Sequence, residues 1–210
     1  MNSLCKRLQF LFLFAVVTGC NTYPIKSDNT TDYIFQRYFG QPFEKGLVYK
    51  ANFRFKEKSI SGLMVIKYES PNQTRIQLLT HLGPTLMDVT LMDDKMIVHQ
   101  NLKNMNKKII LKNLEKDLRQ IILNPLTKEN IKKIVHYKND NEFKVKTSSG
   151  EFKIQLDKHK NIKKVARLGI FNSEKVVTEY SEIVNETPNK ISLYHKNIDF
   201  RIELNLLKQF

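Results

Sequence analysis

The chain has 210 residues, and its 35 lysines and arginines against 21 aspartates and glutamates give a formal net charge of +14. Such a charge can indicate nucleic-acid binding, but the lysines occur as scattered pairs rather than in one stripe interleaved with aromatic residues, and the N-terminus has the pattern of an export signal. We therefore exclude nucleic acid as a partner and interpret the lysines as solvated side chains that also attract anionic lipid headgroups.

Residues 1–19 have the pattern of a lipoprotein signal peptide. Two basic residues precede an apolar run at 8–17, which is shorter than the roughly 20 residues that a membrane-spanning helix needs. The run ends in Val-Thr-Gly-Cys, which resembles the bacterial lipobox. We expect cleavage before Cys20 and acylation of its thiol, palmitate included, since several acyl chains together anchor a protein stably. Asn21, in place of aspartate, favours the outer membrane.

The sequence of residues 20–210 predicts a tether followed by one domain. Residues 20–31 are polar and lack apolar periodicity, so we interpret them as a lipidated flexible tether. Residues 32–210 form the predicted domain, beginning with a short helix at Tyr33–Phe39. Because Cys5 leaves with the signal peptide and Cys20 is acylated, no disulfide is expected, and the core alone must hold the domain together.

From Leu47 onward the apolar residues mostly alternate with polar ones, which is typical of β-strands. Twelve segments have strand character, and from them we expect about eleven strands, joined by short turns. The segments are LVYKANFRF, ISGLMVIKY, TRIQLL, TLMDVTLM, KMIVHQ, KKIIL, EFKVKT, EFKIQLD, IKKVARLGI, KVVTEYSEIV, KISLYH and IDFRIELNLL.

Two helices are predicted in the middle of the chain. In NLEKDLRQIILNP the apolar residues follow a helical period, with Asn113 as the N-cap and Pro125 as the end. A second helix begins at Thr127 and carries Ile131, Ile134 and Val135. The predicted fold class is therefore α+β, a large curved antiparallel sheet of half-barrel shape whose concave face is covered by helices.

No motif in the sequence indicates catalysis. The five histidines do not pair at metal-ligand spacing, and HExxH, CxxC, GxSxG and Gly-rich phosphate loops are all missing from the sequence. We expect no catalytic residue, no metal and no cofactor. A wide sheet with two short helices instead predicts an incompletely filled apolar concavity, which suits an acyl chain.

The order of these elements resembles the LolB family of outer-membrane lipoprotein receptors. The closest local match is RIQLLTHLGPTLMDVTL, residues 75–91, in which an aliphatic strand leads to a Leu-Gly pair and a second strand. The segments SISGLMVIKY and PNKISLYHKNIDFRIELNLLK also resemble family strands. The chain departs from the family in containing no tryptophan and in placing a proline after the glycine.

The resemblance implies a function. It implies that Leu82, with Gly83, forms a protruding loop that helps to insert lipoproteins into the outer membrane, and that a periplasmic LolA-like carrier delivers the cargo. We expect a monomer that faces the periplasm and binds the acyl chains of lipoproteins or lipids in its concavity. The candidate lining residues are Phe53, Phe55, Met64, Ile66, Met87, Val89, Leu91, Phe200 and Ile202.

Two alternatives remain open at the level of sequence. The protein is either a non-catalytic interaction module of the cell envelope, with a fully packed interior, or a carrier for a glycolipid or another amphiphile with the same fold.

Overall fold

A single open sheet of twelve strands dominates the computed structural model, which describes residues 46–70, 73–101, 108–123, 131–136, 141–184 and 187–210. One α-helix, α1 (Lys108–Ile121), and a short 3-10 turn at Ile170–Asn172 accompany the sheet in these ranges. The strands are β1 (Leu47–Phe55), β2 (Lys58–Ser70), β3 (Gln73–Leu79), β4 (Thr85–Met92), β5 (Met96–Gln100), β6 (Ile131–His136), β7 (Glu142–Thr147), β8 (Gly150–Leu156), β9 (Ile162–Leu168), β10 (Glu174–Val184), β11 (Thr187–His195) and β12 (Phe200–Gln209).

The strand order is β5-β4-β3-β2-β1-β12-β11-β10-β9-β8-β7-β6, and the sheet is curved. All neighbours are antiparallel, and only the pair of β1 and β12 joins strands that are distant in the chain. At that seam the Gly46 N–H donates to the Phe210 carbonyl at 2.8 Å, and the Phe210 N–H donates back to the Gly46 carbonyl at 2.9 Å. The first and last described residues are therefore hydrogen-bonded to each other at the centre of the strand order.

Alternation along each strand separates two faces. In β1 the side chains of Leu47, Tyr49, Ala51 and Phe53 are buried, whereas Lys50 and Arg54 between and beyond them are exposed. Such period-two patterning directs one set of side chains to the same side of a pleated sheet. Among them, the aromatic residues Tyr49 and Phe53 are of a type that packs well on that surface.

The opposite face, which we call the polar face, carries charged contacts. Arg75 on β3 donates two hydrogen bonds to the carboxylate of Asp88 on β4, from Nη2 to Oδ2 at 2.6 Å and from Nε to Oδ1 at 3.0 Å. Gln77 adds a third bond to Oδ2 at 3.0 Å. The hydrogen bonds from Arg75 are the main cause that holds the pKa of the Asp88 carboxyl below its ordinary value.

The predicted α+β class is wrong, because the described residues form almost entirely antiparallel sheet with one α-helix. The residues assigned to a second helix, Ile131, Ile134 and Val135, belong to strand β6, in which Ile134 pairs with Val145 of β7. Their i, i+3, i+4 spacing is helical, but an irregularity between Ile131 and Lys133 lets both Ile131 and Ile134 pair with alternate residues of β7, Thr147 and Val145, while Val135 pairs with Lys144. β-Branched side chains are stiff at χ1, which favours a strand when a partner edge is available. Thr127 lies outside the described residues.

The first helix also differs from its prediction. It begins at Lys108, so Asn113 lies within the helix rather than at its N-cap, and most of the KKIIL segment predicted as a strand is helical. A short apolar run such as Ile109–Leu111 has no period that distinguishes the two structures. The predicted helix at Tyr33–Phe39 and the tether at 20–31 lie outside the described residues.

Candidate functional site

The candidate site is the side of the sheet opposite the polar face, which we call the apolar face. Strand register brings all nine predicted lining residues to this face. Phe53 lies opposite Ile202, Phe55 opposite Phe200, and Ile76 lies between Ile66 and Val89. The same register continues through β11 to β7, where Leu193, Thr178, Val165, Ile154 and Phe143 stand in the next positions.

Most of this face is closed to water. Seven of the nine lining candidates are buried, with Met64, Val89 and Ile202 at 0% exposure. Phe55 differs, since it is 49% exposed at the end of β1, and Phe200 is half-buried beside it, with ring centroids 6.5 Å apart. Seven of the candidates therefore belong to the buried hydrophobic core, and the two at its edge contact solvent.

α1 is packed against the apolar face. Leu114, Leu118 and Ile121 are buried along one side of the helix, as expected for residues at i, i+4 and i+7. Burial of each such side chain contributes about 1.5–3 kcal/mol. The helix thus shields part of the sheet from water by ordinary apolar contact.

The buried carboxylate of Asp117 attaches α1 to strands β9 and β11. Asp117 accepts a bond from Arg167 of β9 at 2.9 Å, and its other oxygen lies 2.8 Å from His195 Nε2 of β11. Asp117 is only 2% exposed. The ring of His195 also meets Phe200 edge-on at 5.2 Å between centroids. Because a buried charge needs partners, these two side chains make the position of the helix specific.

One helical turn after Asp117, Gln120 also forms hydrogen bonds between α1 and the sheet. Its Nε2 donates to the Thr178 hydroxyl at 3.0 Å and to the Val165 carbonyl at 3.1 Å. The Tyr180 hydroxyl donates to the Gln120 carbonyl at 2.7 Å. Burial raises the pKa of Tyr180 well above its ordinary value, so the phenol stays protonated and remains a donor.

The same helix also reaches the first half of the sheet. Arg119 Nη2 donates to the Lys95 carbonyl at 3.0 Å, in the turn between β4 and β5, and is 2.8 Å from Glu115 one turn back. β4 and β5 stand at one end of the strand order, whereas β9 to β11 stand towards the other. α1 therefore bridges two distant parts of the sheet.

Sequence reasoning missed this cluster of Asp117, Gln120, Arg167 and His195, which we call the helix clasp. Asp117 and Gln120 lie on one helix, but Arg167 and His195 are 50 and 78 residues beyond Asp117, so no local spacing reveals the cluster. One signal was present: Asp117 lies between Leu114 and Leu118 on the apolar side of a predicted helix. A carboxylate there is costly unless it meets a partner across the interface.

The Leu82 loop is a tight turn that holds its leucine in solvent. The Thr80 N–H donates to the Pro84 carbonyl at 2.8 Å, and the Gly83 N–H donates to the Thr80 carbonyl at 3.1 Å. Leu82 is 94% exposed. Gly83 has a φ of 102°, a conformation that side-chain-bearing residues rarely adopt. Cys20, the predicted acylation site, lies outside the described residues.

The described histidines make no metal site. His99 Nε2 lies 2.9 Å from the Thr90 hydroxyl, and His81 is exposed beside Leu82. In the part of the chain that the structure describes, no three metal-ligating side chains come together. None of the helices described there has the length and apolarity needed to cross a bilayer.

Comparisons with known proteins identify the fold. No family model matches the sequence, and no curated protein matches it. Among solved structures, a LolA superfamily protein from Nitrosomonas europaea superposes with a TM-score of 0.57 at 6% identity, over 85% of this chain and 91% of that one. A putative outer membrane lipoprotein-sorting protein domain from Vibrio parahaemolyticus superposes with a TM-score of 0.50 at 9% identity, over 87% and 90% of the two chains. The chain therefore has the LolA/LolB fold.

Proposed function

We propose that this protein binds the acyl chains of lipoproteins between α1 and the apolar face and helps to insert those lipoproteins into the outer membrane. The observation that carries the proposal is a helix fastened by a polar clasp onto a continuous apolar surface that spans most of the sheet. A solved domain with this fold is described as lipoprotein-sorting, which supports the choice of cargo.

The energetics favour entry of a chain when α1 moves away. Releasing the helix exposes Leu114, Leu118 and Ile121, at a cost of about 5–9 kcal/mol. An acyl chain of about sixteen carbons gains roughly 13 kcal/mol on leaving water, at about 0.8 kcal/mol per methylene. Chain binding therefore exceeds the cost of exposing these three side chains.

The same comparison gives the direction of transfer. A bilayer offers the chain the full gain without opening a helix, so the protein binds an acyl chain more weakly than the membrane does. Cargo received from a periplasmic LolA-like carrier then passes downhill to the bilayer without ATP. In this scheme Cys20 anchors the protein to the outer membrane, Leu82 contacts the bilayer, and the protein acts as a non-enzymatic monomer.

Photolabelling tests this proposal directly. The mature chain is incubated with a palmitic acid analogue that carries a diazirine near its methyl end, irradiated, and mapped by mass spectrometry. We expect cross-links in β1, β2, β4 and β12, at or beside the nine lining candidates. A six-carbon analogue serves as the control, because it loses about 8 kcal/mol of transfer free energy and should not label the protein.

A lack of uptake, or cross-links confined to the polar face around Arg75 and Gln77, would contradict the proposal. Such a result would favour the second candidate, a non-catalytic interaction module of the envelope, which the burial of seven lining candidates supports. A third alternative is a carrier of another amphiphile. If mass spectrometry of the lipid that co-purifies with the protein found a glycolipid rather than the acyl chain of a lipoprotein, that alternative would be favoured.

A further inference from the structure

Five β-hairpin turns lie at one end of the strands, which we call the hairpin rim. They are the turns at 55–58, 80–84, 147–150, 169–173 and 196–199. In the sheet order they follow one another at every second strand, so neighbouring turns stand about 10 Å apart. α1 runs away from this rim towards the opposite end of the strands. Asp117 contacts Arg167 and His195 at the rim ends of β9 and β11, whereas Gln120, three residues later, contacts Thr178 nearer the middle of β10.

Large apolar side chains protrude from four of these five turns. Phe171 is 98% exposed and Leu82 94%, the two highest values among the large apolar residues of the described chain, and Ile170 is 71% exposed beside Phe171. Ile198 and Phe55 are about half exposed on the two turns between them. The described turns at the opposite end are polar instead, with Asp93–Lys95 and Asp157–Asn161, although Val184, Leu207 and Phe210 are exposed there on strand ends.

The turn at Ile170 and Phe171 holds its apolar side chains outward at a conformational cost. Phe171 (φ 57°, ψ 31°) and Asn172 (φ 59°) both adopt the left-handed region, which a phenylalanine seldom occupies. The turn is fixed by a bond from the Gly169 N–H to the Ser173 carbonyl at 2.7 Å and by Lys144 Nζ, which donates to Asn172 Oδ1 at 2.7 Å. Strain that keeps an apolar side chain in water indicates a binding role.

Lysines lie on or beside three of these four turns, together with the acidic residues Glu57 and Asp199, whereas the turn of Leu82 contains no lysine. Lys56 and Lys58 flank Phe55, Lys196 precedes Ile198, and all three are exposed. Lys175 lies so close to Gly169 that a Cβ there would collide with the lysine Cε. An open cavity of about 370 Å³ at the middle of the rim is lined by Arg54, Lys196, Arg201 and Asp199 among others, and Arg54 lies 3.6 Å from Asp199.

We propose that the hairpin rim docks on an anionic lipid surface, with Leu82 inserted at one end of the row of four apolar turns and Ile170 and Phe171 inserted at the other end of that row. Separate apolar tips, three of which have lysines beside them, fit a fluid bilayer with acidic headgroups, whereas a folded partner would need a matching pocket at each tip. The two ends are six strands apart, or roughly 29 Å along the sheet. Two tips so far apart fix the tilt of the protein, and they direct the rim end of α1 and of the apolar face towards the bilayer.

The inference rests on the proposed function for its partner, a lipid surface, and it adds an insertion site that Leu82 alone does not supply. A tryptophan probe tests it, because the chain contains no tryptophan of its own. In the mature Cys20→Ala chain, which lacks the acyl anchor, Phe171→Trp should show blue-shifted emission on vesicles of phosphatidylethanolamine and phosphatidylglycerol. Brominated lipid should quench that emission. The matched control is Leu207→Trp, at an exposed position of the opposite end, and its emission should not change.

A binding measurement completes the test. Phe171→Asn suits the left-handed backbone, so the variant should fold as the parent does, yet its affinity for the same vesicles should fall about tenfold. Unchanged Phe171→Trp emission on vesicles that the chain binds would overturn the inference while leaving the acyl-chain proposal intact. Equal binding to phosphatidylcholine alone would also overturn it, as would a blue shift that appears without vesicles as the protein concentration rises. Failed photolabelling together with vesicle binding through Phe171 would instead reject the acyl-chain proposal alone.

Discussion

At the scale of single residues, high exposure separates Leu82 and Phe171 from most of the other large apolar side chains of the described chain. Neighbouring leucines such as Leu78 and Leu91 are buried on the apolar face, whereas the turn between β3 and β4 leaves Leu82 in solvent. A lone exposed leucine contributes little to the stability of the fold. Its substitution therefore separates a role in delivery from a role in folding.

We expect Leu82→Glu to leave the free energy of unfolding within about 0.5 kcal/mol of the parent, since surface substitutions seldom do more. Delivery of lipoproteins to the outer membrane should be impaired, because a carboxylate is repelled by anionic headgroups. Urea unfolding and fractionation of outer-membrane lipoproteins in cells measure the two effects. Leu207→Glu, also at an exposed site, is the control. Normal delivery by Leu82→Glu would reject the role assigned to Leu82.

At the scale of elements, α1 is the part whose attachment is suited to reversal. Its apolar contacts are few, and its specific attachment depends on the helix clasp and on Arg119. Hydrogen bonds and ion pairs of this kind can be replaced by bonds to water when the helix leaves, which makes their net contribution modest. The sheet, by contrast, is held by continuous ladders between twelve strands.

Asp117→Asn should loosen α1 and speed the uptake of acyl chains. The change leaves Arg167 without its carboxylate, and we expect a loss of about 3 kcal/mol in the free energy of unfolding. Stopped-flow uptake of a fluorescent fatty acid should become faster, because the helix opens more often. Glu142→Gln is the matched control, since it removes a carboxylate that pairs with Lys153 at 2.9 Å on strands away from α1. Slower or unchanged uptake in Asp117→Asn would contradict a gating role for the helix.

At the scale of the whole molecule, two kinds of membrane contact are proposed, and they differ in strength. Acylation of Cys20 would tether the chain in a way that salt does not affect. Docking by the hairpin rim depends partly on lysines, whose attraction to lipid is screened at high ionic strength. Together they would place the apolar face close to the membrane that receives the cargo.

We expect Cys20→Ala to release the protein from the membrane fraction after a high-salt wash and to abolish incorporation of labelled palmitate. Cys5→Ala, within the signal peptide, serves as the control and should behave as the parent does. Immunoblotting of the washed fractions provides the measurement. Retention of the Cys20→Ala chain after the wash would show that something other than a lipid on this cysteine holds the protein.

The amino-acid sequence by itself determined which residues face the interior. Alternation in β1, β4 and β12 predicted one apolar face, and strand pairing placed all nine lining candidates on it, because a period of two follows from the pleat alone. The tertiary structure decided the rest. β6 became a strand because β7 offered it an edge, and the Asp117, Arg167 and His195 contacts exist only because chain folding brings distant residues together. The hairpin rim likewise depends on the strand order. No local pattern encodes that order, because two strands can form the same hydrogen bonds whether they are close together or far apart in the sequence.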